Sequence, residues 1–177
     1  MLISSKIDNG INGSVFVPGD KSISHRSIII SAIANGKTTV KKILKSEDVI
    51  NTIEAIKLLG VKIEEYNNDL IVHGNGLHSL SQPSKKIYLG NSGTSARLLI
   101  GLLSAQKFNS VLVGDGSLSN RPMARIINPL KEMGANIAST NCKLPIQIYG
   151  KKLNTIRYDM NVPSAQVKSG IILASLF

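Results

Sequence analysis

Ser24-His25-Arg26-Ser27-Ile28-Ile29-Ile30, Ser95-Ala96-Arg97-Leu98-Leu99-Ile100-Gly101 and Gln166-Val167-Lys168-Ser169-Gly170-Ile171-Ile172 read as three versions of one stretch. Their cations, Arg26, Arg97 and Lys168, stand 71 residues apart at each step, and each leads an apolar run. A second stretch recurs at a spacing of 74, with Ile56-Lys57-Leu58-Leu59-Gly60-Val61-Lys62-Ile63 answered by Leu130-Lys131-Glu132-Met133-Gly134-Ala135-Asn136-Ile137. Repetition at a fixed period, with the parts in the same order, is the mark of one folded unit used more than once.

The unit reads as βαβαββ. A strand (Ser14 to Val17; Lys86 to Leu89; Arg157 to Val162) leads through a small-residue turn into a helix (Ser22 to Asn35; Thr94 to Gln106; Ser164 onward). A second strand follows (Thr38 to Ile43; Ser110 to Val113), then a second helix (Asp48 to Leu59; Pro122 to Met133). Pro122 is expected in the first turn of its helix, and Gly60 and Gly134 are expected at the C-caps. Two strands close the unit, Val61 to Glu65 with Leu70 to His73, and Asn136 to Ser139 with Pro145 to Tyr149. The units are expected at about 14–80, 84–152 and 153–177, the third cut in its first helix. Ser27 to Ala34 and Leu98 to Ala105 are apolar nearly all round, which marks helices buried on most faces with the sheets outside them. The run Ile171 to Phe177 meets the chain end without a cap or polar tail, so the polypeptide is expected to continue.

Composition narrows the function. Net charge is +10, from 21 Lys and Arg against 11 Asp and Glu. Such a balance suits a basic surface, a polynucleotide or acidic metabolites. Aromatics are only 4% and no nucleic-acid motif appears, so stacking on bases is poorly served and no nucleic-acid partner is expected. The single cysteine, Cys142, excludes an internal disulfide and fits a reducing, cytoplasmic setting. No secretory signal is visible in Met1-Leu2-Ile3-Ser4-Ser5-Lys6, and the longest apolar runs are too short to span a bilayer, so no membrane role is expected. His25, His73 and His78 have no metal-ligand spacing, and His25 is expected to complete a hydrogen bond on a helix face.

Each unit enters its first helix through a turn able to hold an anion. These are Pro18-Gly19-Asp20-Lys21-Ser22, Gly90-Asn91-Ser92-Gly93-Thr94-Ser95 and Val162-Pro163-Ser164-Ala165-Gln166. A helix start offers unpaired N–H groups and a partial positive charge, and small residues let a ligand approach them. One such turn is ordinary capping, whereas three in register with Arg26, Arg97 and Lys168 one turn inside point to an anion pocket. None fits the phosphate-loop pattern of nucleotide hydrolases. Gly114-Asp115-Gly116-Ser117-Leu118-Ser119-Asn120-Arg121-Pro122 reads as a flexible loop ending in a cation.

At these residues the sequence resembles the EPSP synthase family. The likeness rests on Val17 to Arg26, on Leu89 to Arg97, on Gly114-Asp115 with Asn120-Arg121-Pro122-Met123, and on Ser164 to Ser169. It implies an inside-out α/β barrel of the enolpyruvyl transferase type, with the third unit truncated. It also implies transfer of the enolpyruvyl group of phosphoenolpyruvate to the 5-hydroxyl of shikimate 3-phosphate, with no metal or organic cofactor. Lys21 is the implied catalytic residue, lying between the substrates. Lys21, Ser22, Arg26, Ser164, Ala165 and Gln166 would bind shikimate 3-phosphate. Lys21, Asn91, Gly93, Arg121 and Gln166 would bind phosphoenolpyruvate. Ala165 stands where some members have Ser, and Leu98 where some have Pro. The family's second domain, which provides acid/base Asp and Glu, is absent from this sequence, and residues 1–13 would pack with it. The full-length protein would be a monomer.

Two rivals make distinct demands. The sister transferase acting on UDP-N-acetylglucosamine typically has Lys-Asn where this chain has Lys21-Ser22. It also usually carries a catalytic Cys at the position of Gly116. A non-catalytic basic module binding RNA or a partner protein would explain the charge but not the recurring turns.

Overall fold

The computed structural model describes Gly10 and residues 12–177. Residues 1–9 and 11, most of the segment expected to pack with a second domain, lie outside the described residues. The order of elements is α1 (Lys21–Ile33), β1 (Asn35–Val40), α2 (Glu47–Leu58), β2 (Lys62–Tyr66), β3 (Asp69–Asn75), β4 (Ile87–Tyr88), α3 (Gly93–Ser104), β5 (Asn109–Val113), α4 (Gly116–Asn120), α5 (Ala124–Glu132), β6 (Asn136–Ser139), β7 (Ile146–Tyr149) and α6 (Ala165–Ser175). The series α1-β1-α2-β2-β3 recurs as α3-β5-α5-β6-β7, with β4 ahead of the second copy and α4 inserted within it.

Among the described residues the fold is α/β with two sheets. One is antiparallel in the order β1-β3-β2, and the other is mixed in the order β4-β5-β7-β6, with β4 parallel to β5. The hairpin between β2 and β3 turns on Asn67 and Asn68, both with positive φ, the two-residue turn whose twist suits antiparallel strands. Alternate residues of β3 (Leu70, Val72, Gly74) and of β7 (Ile146, Ile148) are buried against the helices, as the two-residue period of a strand requires.

Helix boundaries follow local chemistry. Asp20, Ser92 and Ser164 cap α1, α3 and α6, their side-chain oxygens accepting from Ile23 N (2.7 Å), Ser95 N (3.1 Å) and Val167 N (3.4 Å). The C-cap residues of α2 and α5 are Leu59 and Met133, so Gly60 and Gly134 stand one position beyond them, at φ +91° and +86°. Gly60 N donates to Lys57 O and Val61 N to Ile56 O, and Gly134 and Ala135 repeat this pair of bonds, the left-handed closure that glycine favours.

Several expectations need correction. Ser14 to Val17 is not a strand: among the described residues no sheet edge pairs with it, and Val15, Phe16 and Val17 are 81–96% exposed. Arg157 to Val162 is likewise irregular, because no third sheet exists among the described residues to accept its hydrogen bonds. Pro122 lies outside its helix, which starts at Ala124, and the proline inside the helix is Pro129. The segment before Arg121 is more than a flexible loop. Asp115 Oδ1 accepts from Leu118 N at 2.7 Å to cap α4, and Leu118 is fully buried.

The core is centred on α3, of whose twelve residues all but Arg97 are buried. Its tightest neighbour is α6. A Cβ at Gly101 would sit 2.0 Å from Gly170 O, and one at Gly170 would sit 2.6 Å from Arg97 O. First turn meets first turn (Thr94 with Gln166) and second meets second (Arg97 and Gly101 with Gly170), so the two helices run parallel from a common end.

Under α1, the ring of His25 is fully buried, with Nδ1 2.8 Å from Thr52 Oγ1 on α2 and 3.1 Å from Ser95 Oγ on α3. Burial is the main cause that lowers its pKa from 6.5 to about 4, aided by Lys21 and Arg26 and opposed by Asp48.

Two stability predictions follow from the helix packing and the buried ring. Gly101→Ala has no side-chain space to fill and must push α6 away, so urea unfolding should show a loss of about 1–3 kcal/mol. As pH falls from 6.5 to 4, the unfolded chain takes up a proton that folded His25 excludes. Stability should therefore decline across that window, by on the order of 3 kcal/mol from this group, and lose nothing further through it below pH 4. A His25→Gln variant should lack this component when denaturant midpoints are compared at pH 7 and pH 4.

Candidate functional site

A helix start leaves its first amides without intrahelical acceptors. In α1, α3 and α6 the cap takes the third amide and the helix takes the fourth, since Ser24, Ala96 and Lys168 N donate to the carbonyls of Asp20, Ser92 and Ser164. The remaining amides are those of Lys21 and Ser22, Gly93 and Thr94, and Ala165 and Gln166. Among the described residues they have no backbone acceptor.

Side chains bring these starts together. Arg26 crosses from α1 to α6, donating to Ala165 O (3.2 Å) and Ser169 Oγ (3.0 Å), and back to Ser22 O (3.1 Å). From α3, Arg97 donates to Gln166 Oε1 (2.9 Å), to Gly93 O (3.0 Å) and to Pro122 O (3.3 Å). Gln166 Nε2 returns a bond to Thr94 Oγ1 at 2.9 Å. Arg121 donates to Asn91 Oδ1 at 2.5 Å, which fixes the cation after α4 beside the turn before α3.

Gly93 sits where two guanidinium groups meet. A Cβ there would lie 2.8 Å from Arg97 Nη1 and 3.3 Å from Arg121 Nη1. Burial, and then the like charges of Arg121 and Arg125, hold the Arg97 pKa below its ordinary value. None of these three arginines is in an ion pair among the described residues. Clustered cations beside free amides leave an unbalanced positive field, and a bound anion would relieve it.

Lys21 is paired with Asp48, whose Oδ2 accepts from its ammonium at 3.0 Å. Asp48 lies in the first turn of α2, where it also complements the helix dipole. The residues read from sequence thus form a connected set: Lys21, Ser22 and Arg26 from α1, Asn91 and Gly93 from the α3 turn, Arg121 after α4, and Ser164, Ala165 and Gln166 at α6. Lys168 differs from its repeat partners. It is exposed on α6 and lines a groove with Tyr158, Pro163 and Ile172, whereas Arg26 and Arg97 reach a neighbouring helix.

The residue order alone gives Asp48 no partner and Arg97 no ligand, and it does not set Arg125 or Thr94 apart. The acid at the start of α2 and the matching cation at the 71-residue spacing were the available signals for the first two. No helix among the described residues is long and apolar enough to cross a membrane.

Comparison with known proteins places the chain in a family. A family model described as EPSP synthase (3-phosphoshikimate 1-carboxyvinyltransferase) matches residues 6–177. A 3-phosphoshikimate 1-carboxyvinyltransferase of Ruthia magnifica subsp. Calyptogena magnifica is 52% identical over 173 residues, covering 97% of this chain and 40% of that protein. One from Streptococcus pyogenes serotype M49 is 48% identical over 169 residues, covering 94% of this chain and 40% of that protein. The structure of EPSP synthase from Acinetobacter baumannii superposes with a TM-score of 0.88 at 52% identity, covering 93% of this chain and 38% of that one. The chain therefore spans about 40% of the length of the curated relatives it matches. With the family model covering nearly all of its residues, the chain belongs to the EPSP synthase (3-phosphoshikimate 1-carboxyvinyltransferase) family.

Proposed function

We propose that this chain carries the first part of a 3-phosphoshikimate 1-carboxyvinyltransferase, with most of the shikimate 3-phosphate site and one wall of the phosphoenolpyruvate site. The observation that carries the reading is the meeting of three helix starts, each with two unclaimed amides, among Arg26, Arg97 and Arg121. Two polyanionic substrates repel each other, and fixed cations and helix dipoles offset that repulsion without reorganising during the reaction.

In this reading Ser22, Arg26, Ser164, Ala165 and Gln166 receive shikimate 3-phosphate. Asn91, Gly93, Arg121 and Gln166 receive phosphoenolpyruvate. Lys21 stands between them, with Asp48 fixing its ammonium. The 5-hydroxyl of shikimate 3-phosphate adds to C2 of phosphoenolpyruvate as C3 takes a proton. The tetrahedral intermediate then loses inorganic phosphate to give 5-enolpyruvylshikimate 3-phosphate. The acid/base carboxylates for these steps belong to a second domain in this reading. The units at about 14–80, 84–152 and 153–177 would be completed by further chain into an inside-out barrel, in a monomeric cytoplasmic enzyme without nucleic-acid partners. Lys21-Ser22 and Gly116 support this substrate over UDP-N-acetylglucosamine, whose transferases typically have Lys-Asn and Cys at those positions.

Isothermal calorimetry on the 177-residue chain should show binding of shikimate 3-phosphate and none of UDP-N-acetylglucosamine. Arg26→Ala should weaken the former by about 1.5–3 kcal/mol, the loss of a charged hydrogen bond. Unchanged affinity in that variant would contradict the assignment. The purified chain should produce no 5-enolpyruvylshikimate 3-phosphate in a coupled phosphate-release assay, and measurable turnover would overturn the division of labour between domains.

A further inference from the structure

His25 is not among the groups that face the free amides, yet it touches what holds them. Ser92 and Ser95 on the α3 side, Thr52 on α2 and the imidazole from α1 form one buried polar cluster, none more than 2% exposed. Thr52 Oγ1 lies 2.8 Å from His25 Nδ1 and 2.5 Å from Ser95 Oγ. Ser92 Oγ lies 2.8 Å from Ser95 Oγ and 3.4 Å from His25 Nε2. A neutral ring completes the cluster with one nitrogen donating and the other accepting. In one consistent arrangement Nδ1–H donates to Thr52, Thr52 donates to Asp48 O, and Ser92 donates toward Nε2.

The two ends of this cluster carry the two sides of the site. At one end, Thr52 bonds the backbone of Asp48, whose carboxylate holds Lys21. At the other, Ser92 is both the cap of α3 and the residue before Gly93. The direction of the Gly93 and Thr94 amides therefore depends on a hydroxyl that the imidazole touches. We propose that His25 is a positioning residue, tying the α2 turn that anchors Lys21 to the Ser92 cap that aims the Gly93 and Thr94 amides. The inference rests on reading those amides as part of an anion site.

The charged groups around the ring are Lys21 and Arg26 from α1 and Asp48 from α2, while α3 presents only the hydroxyls of Ser92 and Ser95. Burial outweighs the Asp48 carboxylate, so the ring is neutral near pH 7 and gains a proton only toward pH 4. Protonation turns both ring nitrogens into donors and so re-sorts the hydroxyls at both ends.

The first test needs no ligand or variant. In NMR spectra of the chain recorded from pH 7 down to pH 5, where about a tenth of the rings carry a proton, the imidazole and the Gly93 and Thr94 amides should share one titration onset. Amides that stay fixed while the ring titrates would overturn the proposal. The second test uses Thr52→Val, which keeps the side-chain size and touches no proposed ligand group. At pH 7.5 its affinity for shikimate 3-phosphate, which shares Lys21, should fall by no more than about threefold. Its affinity for phosphoenolpyruvate, measured with shikimate 3-phosphate saturating, should fall about tenfold. Equal losses for both ligands would mark a merely structural role, and no loss for either would also sink the idea. A parent chain that binds neither ligand would refute the site reading instead, leaving the NMR titration to decide the positioning of the turn.

Discussion

Arg26 and Arg97 reach out of their own helices to the first turn of α6, and the arrangement of the site follows from that crossing. A guanidinium can do this because it offers five donors in a rigid fork, enough to bond a neighbouring helix and still face a ligand. The crossing requires α3 and α6 to lie close and parallel, which the facing glycines Gly101 and Gly170 permit. Replace that contact with ordinary side chains and the helix starts part, taking their amides with them.

Close parallel starts are electrostatically costly by themselves, because positive dipole ends and arginines share one region. The Arg97 pKa is depressed chiefly by burial, and the like charges of Arg121 and Arg125 add to it. The protein tolerates the cost by burying apolar surface around α3 and by tying the polar remainder into bonds such as Gln166 to Thr94. Strain of this kind is what an anionic substrate can relieve, and it links the stability of the bundle to its proposed use.

Much of this was legible in the residue order. The spacing from Arg26 to Arg97 to Lys168 located three equivalent helix starts, and Gly60 and Gly134 located two helix ends. The strands expected at Ser14 to Val17 and at Arg157 to Val162 did not form, because a strand is defined by a partner that local sequence does not display. The short helix α4 was hidden in a segment of Gly, Ser and Asn, where Asp115 as a cap and Leu118 as a buried anchor were the only clues. Lys168 shows the limit of repeat logic. It has the register of Arg26 and Arg97, but register does not supply a neighbouring helix for it to reach. The Asp48–Lys21 pair and the His25 cluster join residues 27 to 70 positions apart, distances at which single-sequence patterns carry no pairing information.

The most direct measurement is NMR mapping of backbone amides as shikimate 3-phosphate is added to the chain. A shared anion site predicts that the largest shifts fall together on Lys21 and Ser22, Gly93 and Thr94, and Ala165 and Gln166, saturating at one ligand concentration. Shifts confined to a single helix start, or scattered over the exposed faces of the sheets, would contradict it.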